Sequence, residues 1–197
     1  EASGVDVSGN YAFVAAEFDG LHAVDISDPT HPAEAGLYYQ SDHWANDVAV
    51  VGERAYLAFG DAGLRILDIS DPRNMALVGS CATPGEAYDV VVSGTLAYMA
   101  AGDGGLSIVD VSDPSLPTQL GAYNTAGRAL DVAVAGRYAY VADQWAGLRV
   151  VDVSNPASPA EVGSYTPLGC FYSVLVAGGY AYVGAGNLLI LDLSNPV

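Results

Sequence analysis

Two short phrases recur five times in this chain of 197 residues at one locked spacing, and that repetition restricts the fold more than any other feature. The first reads LHAVDISDP (21–29), LRILDISDP (64–72), LSIVDVSDP (106–114), LRVVDVSNP (148–156) and LLILDLSNP (188–196). Its central aspartates, Asp25, Asp68, Asp110, Asp152 and Asp192, are 43, 42, 42 and 40 residues apart. The second reads VSGNYAFVA (7–15), VVGERAYLA (50–58), VSGTLAYMA (92–100), VAGRYAYVA (134–142) and VAGGYAYVG (176–184). Each phrase keeps its place relative to the other, so the chain is built from one unit used repeatedly.

Helical repeats also occur near this length, so the local pattern has to decide. The run YAYV alternates large and small side chains with period two, and the apolar runs are short, β-branched or aromatic, and bounded by Gly or Pro. Helices of about twelve residues do not fit between these breakers. The pattern predicts four strands per repeat, for example Asp131–Ala135, Tyr138–Ala142, Leu148–Val153 and Ala160–Tyr165. Four short antiparallel strands in each unit of about 40–45 residues describe the blade of a β-propeller. Alanine beside tyrosine lets neighbouring blades approach to the ~10 Å of packed sheets.

The reading is therefore all-β: a five-bladed β-propeller of four-stranded antiparallel blades with an incomplete last blade, forming a single domain over residues 1–197. The repeats fall near 3–44, 45–86, 87–128, 129–170 and 171–197, and the fifth lacks the segment that supplies a fourth strand in the others. Three arrangements suit that shortfall. A five-bladed ring closes on a three-stranded blade, the chain is part of a longer one, or a partial ring dimerises.

The repeated Ser-Asp-Pro or Ser-Asn-Pro is a turn. Asp or Asn accepts a hydrogen bond from the backbone ahead, and Pro presets φ for the next turn position. The Asp before it is expected to tie the turn to the end of the third strand. The phrases LHAVDISDP, LRVVDVSNP and LLILDLSNP resemble the LVIVD repeat of bacterial and archaeal surface or secreted proteins. The resemblance spans the whole chain and implies a β-propeller at the cell surface or outside the cell, with its leader not present in this chain. It brings no catalytic residues with it.

The net charge of −17 comes from 23 acidic residues against six arginines, with no lysine. Such a surface repels nucleic acid and anionic membrane, and no apolar run approaches the roughly 18 residues of a membrane span. Sixteen of the 23 acids sit at repeat positions, so the acidity is mostly architectural. These include the acids between the second and third strands, Glu17, Asp19, Asp61, Asp103 and Asp143, which are expected to be solvated. Cys81 and Cys170 occupy different places in their repeats and have no zinc-site spacing, so they read as free thiols.

Asp47, Asp89 and Asp131 open the first strand of three repeats, where Gly4 and Ser173 stand in the others. An innermost first strand rings one channel mouth with these carboxylates. Their oxygens suit a Ca²⁺ ion with water, or acid–base chemistry through raised pKa values. The structural reading is that each binds the backbone of a neighbouring blade. No protein cofactor is expected beyond that candidate Ca²⁺.

The repeats differ most in the segments that pass from blade to blade: YYQSDHW (38–44), SCATPGE (80–86), YNTAGR (123–128) and YTPLGCFY (165–172). These share a face with loops such as AEFDG (16–20) and DQWAG (143–147). Loops held by a rigid frame often carry function. The face is expected to gather His43, Trp44, Glu86, Tyr88, Arg128, Trp145 and Tyr172, with Phe171 beside them, a set suited to stacking on sugars or docking a peptide. The structural reading is that the aromatics, Phe171 among them, plug the channel or cover blade junctions. Phosphate-loop, dinucleotide, zinc-protease and serine-hydrolase motifs are absent. The sequence thus reads as a non-enzymatic binding module for a protein or carbohydrate, set in a larger surface protein or a homo-oligomer. The alternative is a carbohydrate-active hydrolase or lyase using the channel-mouth carboxylates.

Overall fold

In the computed structural model, residues 1–41 and 43–194 are described. Asp42 in the first blade-to-blade segment and the Asn-Pro of the fifth turn phrase (195–196) lie outside them. Every described element is a strand, and the strands follow one another in five antiparallel sheets. The first blade holds β1 (Gly4–Ser8), β2 (Tyr11–Ala15), β3 (Leu21–Asp25) and β4 (Ala33–Tyr38). The second holds β5 (Asp47–Val51), β6 (Arg54–Ala58), β7 (Leu64–Asp68) and β8 (Ala76–Cys81). The third holds β9 (Asp89–Ser93), β10 (Leu96–Ala100), β11 (Leu106–Asp110) and β12 (Thr118–Tyr123). The fourth holds β13 (Asp131–Ala135), β14 (Tyr138–Ala142), β15 (Leu148–Asp152) and β16 (Ala160–Tyr165). The fifth has three strands, β17 (Ser173–Ala177), β18 (Tyr180–Gly184) and β19 (Leu188–Asp192). The five blades and the incomplete last one agree with the expectation from the repeat.

The turn phrase behaves as its chemistry requires. Ser27, Ser70, Ser112, Ser154 and Ser194 donate their backbone N–H groups to Asp25, Asp68, Asp110, Asp152 and Asp192 at 2.8–2.9 Å. Within the turn itself, Asp28, Asp71 and Asp113 accept the N–H of Thr30, Arg73 and Ser115. The phrase has a second duty that the sequence did not reveal. Between the third and fourth strands each complete blade carries a β-bulge, and the residue after the bulge is glycine: Gly36, Gly79, Gly121 and Gly163. The Asp-Pro or Asn-Pro turn of the following blade presses onto three of these glycines. A Cβ on Gly79 would lie 2.9 Å from Pro117 Cδ and closer still to the Pro114 carbonyl; Gly36 and Gly121 meet Pro72 and Pro156 in the same way. The turn therefore locks a blade to its predecessor.

Packing between blades follows one rule four times. The forward face of a blade presents an aromatic residue and alanine from its second strand and two apolar residues from its third, as in Tyr98, Ala100, Leu106 and Ile108. It meets the backward face of the next blade, here Val132, Ala139, Val141 and Val151. The same arrangement joins the first blade to the second, the second to the third and the fourth to the fifth. The fifth and first blades do not complete the series. Leu188 and Ile190 on the forward face of the fifth are 66% and 57% exposed, and Val5 on the backward face of the first is 64% exposed. Their counterparts Leu148, Val150 and Val48 are at most 5% exposed.

Candidate functional site

The first strands β1, β5, β9, β13 and β17 line a channel of about 610 Å³ walled by valines. At one mouth, Asp47, Asp89 and Asp131 converge, as the repeat register implied, in a cavity of about 280 Å³. Each carboxylate binds the backbone of the next blade. Val90 N–H donates to Asp47 at 3.3 Å, Val132 N–H to Asp89 at 2.8 Å and Val174 N–H to Asp131 at 2.8 Å. In the first blade Gly4 has no carboxylate, and Asp6, two residues on, takes the role by accepting the Val50 N–H at 2.7 Å. Gly4 itself serves the close approach of β1 to β5, since a Cβ there would sit 2.8 Å from Asp47 Cα.

Burial raises the Asp89 pKa well above the ordinary carboxylate range, and the charges of Asp131 and Asp47 raise it further. Burial also raises Asp47. Among the described residues, no group of three or more His, Cys, Asp or Glu is spaced to hold a metal ion. The arrangement joins blades and favours the neutral form of the Asp89 carboxyl.

Tyr88 and Tyr172 line this mouth beside the carboxylates, so part of the loop face and the acidic ring form one cavity. Both follow from a repeat position. Ser3 and Asn46 stand at the equivalent places, where their side chains donate to the next blade's Ala45 and Ala87 carbonyls at 3.0 and 2.7 Å. Tyr88 instead turns to Glu86 and Arg128. Its hydroxyl donates to Glu86, and the Arg128 guanidinium donates to both the hydroxyl and the Glu86 carboxylate while lying 4.7 Å from the Tyr88 ring centre. Burial pushes the Tyr88 hydroxyl well above the ordinary phenol range, and the bond to Glu86 adds to this.

A second groove of about 360 Å³ lies between Trp44, Gly60, Asp61 and Glu86. His43 Nδ1 is 2.7 Å from Asp61, and the Trp44 ring meets the exposed Phe18 edge to face at 4.8 Å. Trp145 is 73% exposed and lines neither cavity. The structure thus brings together His43, Trp44 and Glu86 at one groove and Tyr88 and Tyr172 at the mouth, with Arg128 bridging Glu86 and Tyr88.

One of two readings is decided and one expectation is corrected. Phe171 is buried in the seam between the fourth and fifth blades, 6.3 Å from Tyr165, because its backbone N–H bonds to Gln144 and aligns it with core positions Ala45, Ala87 and Ala129. Asp143 is buried rather than solvated. It accepts from Thr125 Oγ1 at 2.6 Å and Gly127 N–H at 2.8 Å, and Arg149, itself paired with Glu161, stands 3.4 Å away. Burial raises its pKa against these partners. Phe18 was missed as a surface aromatic. Repeat alignment places it at the position of Asp61, Asp103 and Trp145, so an aromatic where two other blades carry Asp was the available signal.

Five antiparallel sheets about a channel, three of them pressing their turn onto the blade before, define a β-propeller repeat protein. The chain belongs to the LVIVD repeat family, which matches residues 1–40, 44–83, 84–125, 126–167 and 169–197. A search of curated proteins found no match. Among solved structures the chain resembles the β-propeller domain of Cps50 (Swd1) from Myceliophteria thermophila, with a TM-score of 0.79 at 14% identity over all of this chain and 70% of that one. It also resembles the computationally designed Ika8 protein, with a TM-score of 0.78 at 11% identity over 98% of this chain and 58% of that one. This chain therefore spans little more than half the length of the designed protein.

Proposed function

We propose that this chain is a non-enzymatic binding module, working at the cell surface or outside the cell, whose loop face docks a protein segment carrying basic side chains. One observation carries the reading. An exposed aromatic pair, Phe18 and Trp44, stands beside a groove lined by the carboxylates Asp61 and Glu86, and Arg128 ties Glu86 to the channel mouth. Exposed aromatic faces attract cations, and carboxylates on rigid loops give the cation a place to bind. The overall charge of −17 draws a basic partner toward this face. Repeat propellers offer rigid loop surfaces of this kind. The LVIVD membership supports the extracellular setting, and surface labelling of intact cells tests it.

The experiment is thermal unfolding with a panel of Arg- and Lys-rich peptides set against simple saccharides. A ligand at 100 times its Kd adds ~2.7 kcal/mol of stability. Basic peptides are expected to raise the melting temperature, and Trp44→Ala to remove the shift without changing the free protein's melting. A shift with saccharides alone makes the partner a carbohydrate. A flat panel counts against both.

A further inference from the structure

We propose that the two outer flanks of this five-blade arc are docking faces for further LVIVD-type blades, two or three of which complete the ring. The argument starts from the four internal seams, where a forward face always meets a backward face. The fifth blade keeps the forward-face pattern although nothing described covers it. Leu188 and Ile190 occupy the positions of Leu148 and Val150, which are buried between the fourth and fifth blades. Leu175, 64% exposed, stands where the fourth blade has Ala133. On the other flank, Val5 and Val24 occupy the positions of the buried Val48 and Leu67.

Terminal units of repeat proteins that face water carry a polar outer surface. Neither flank does, so both have the composition of interior seams. Their natural complement is the opposite face of the same kind of blade, the pairing the chain already makes four times. Coverage of the similar structures sets the number. The chain superposes over 98–100% of its length on structures of which it covers 58% and 70%. About a third of each of those structures lies beyond the match, and rings hold about four to eight blades. Two or three blades make up that remainder, whereas a second copy brings five and exceeds it.

The test compares the 197-residue chain with seven- and eight-blade versions. The first is made by inserting a second copy of residues 84–167 after residue 167, and the second by adding another copy of residues 126–167. Ile190→Asp is placed in each, and melting temperature and sedimentation are read. The parent is expected to be a monomer whose melting Ile190→Asp leaves unchanged. One extended version is expected to melt higher and to lose on the order of 10 °C on Ile190→Asp, as a buried seam would.

Three results overturn the proposal. A parent monomer that Ile190→Asp destabilises has closed its own ring. A parent dimer that Ile190→Asp dissociates takes a second copy on this flank. Extended versions that both melt no higher than the parent have no seam to complete.

Discussion

The Asp89 carboxylate accepts the backbone N–H of Val132 at 2.8 Å, fastening the third blade to the fourth from inside the channel. Asp47 does the same one seam earlier and Asp131 one seam later, so three acids that join blades also repel one another. Cohesion and repulsion at this mouth come from the same atoms.

Asp89→Asn keeps an oxygen to accept the Val132 N–H and removes the charge. The folded pKa of Asp89 lies above its unfolded value, so its contribution to stability is fully present below about pH 4 and is lost as pH rises through the folded value. The variant is expected to melt higher than the wild type at pH 8, with the difference vanishing at acid pH. Melting temperatures across pH 4–9 check this; equal curves would mean that burial and its charged neighbours do not raise Asp89.

The turn aspartates give the opposite limb. Hydrogen bonds from Ser27, Ser70 and Ser112 hold Asp25, Asp68 and Asp110 below the usual carboxylate range, and Arg137 with Ser154 lowers Asp152 further. Their stabilisation is present above the unfolded value and is lost as pH falls through the folded ones. Acid unfolding is expected to shift to higher pH in Asp110→Ala, and progressively more when Asp68→Ala is added. Circular dichroism during acid titration reads the midpoint.

Gly79→Ala forces a methyl group against the Pro114 carbonyl and Pro117 ring of the next blade. Both obstacles belong to a tight turn and cannot move away like a flexible side chain. The substitution is expected to cost about 1–3 kcal/mol, as overpacking does. Gly52→Ala has open space around its Cβ, so any loss there comes from its φ of 61° alone. Urea denaturation separates crowding from backbone strain.

Asp143→Ala leaves Arg149, 12% exposed at its side chain, without its buried carboxylate and frees Thr125 and Gly127. Removing one partner of a buried pair costs roughly 3–5 kcal/mol. The loss is expected to be smaller in Asp143→Asn, whose one oxygen can still accept the Gly127 N–H while its amide NH2 donates to Thr125 Oγ1. Equal stability of all three proteins in chemical denaturation would assign the network no role in holding the 123–128 loop.

Much of the local structure was legible because its causes are local. Alternation in YAYV, Pro and Asp at the turns, and Gly at the hairpins placed β13, β14 and β16 at their observed ends and β15 within one residue. Exposure of Trp44 and Trp145 was legible too, since they interrupt a regular loop. The clamp of Arg128 on Glu86 and Tyr88 was not, because its members meet across about one whole repeat, from loops of two successive blade passages. The burial of Phe171 and Asp143 was not legible for a related reason. Whether a loop residue faces solvent or a seam depends on the neighbouring blade, which local pattern does not describe.

By itself the sequence determined the unit: four strands, a locked turn and an apolar code for each face. Only the tertiary structure decided how those units sum. Every seam repeats the same pattern of aromatic, small and aliphatic positions, so nothing in the repeat says how far one blade rotates from the next. That rotation is set by how bulky Tyr, Leu and Ile interleave with Ala and Val across each seam. The outcome shows at the two ends of the series, where Val5 and Ile190 stay exposed although their counterparts Val48 and Val150 are buried.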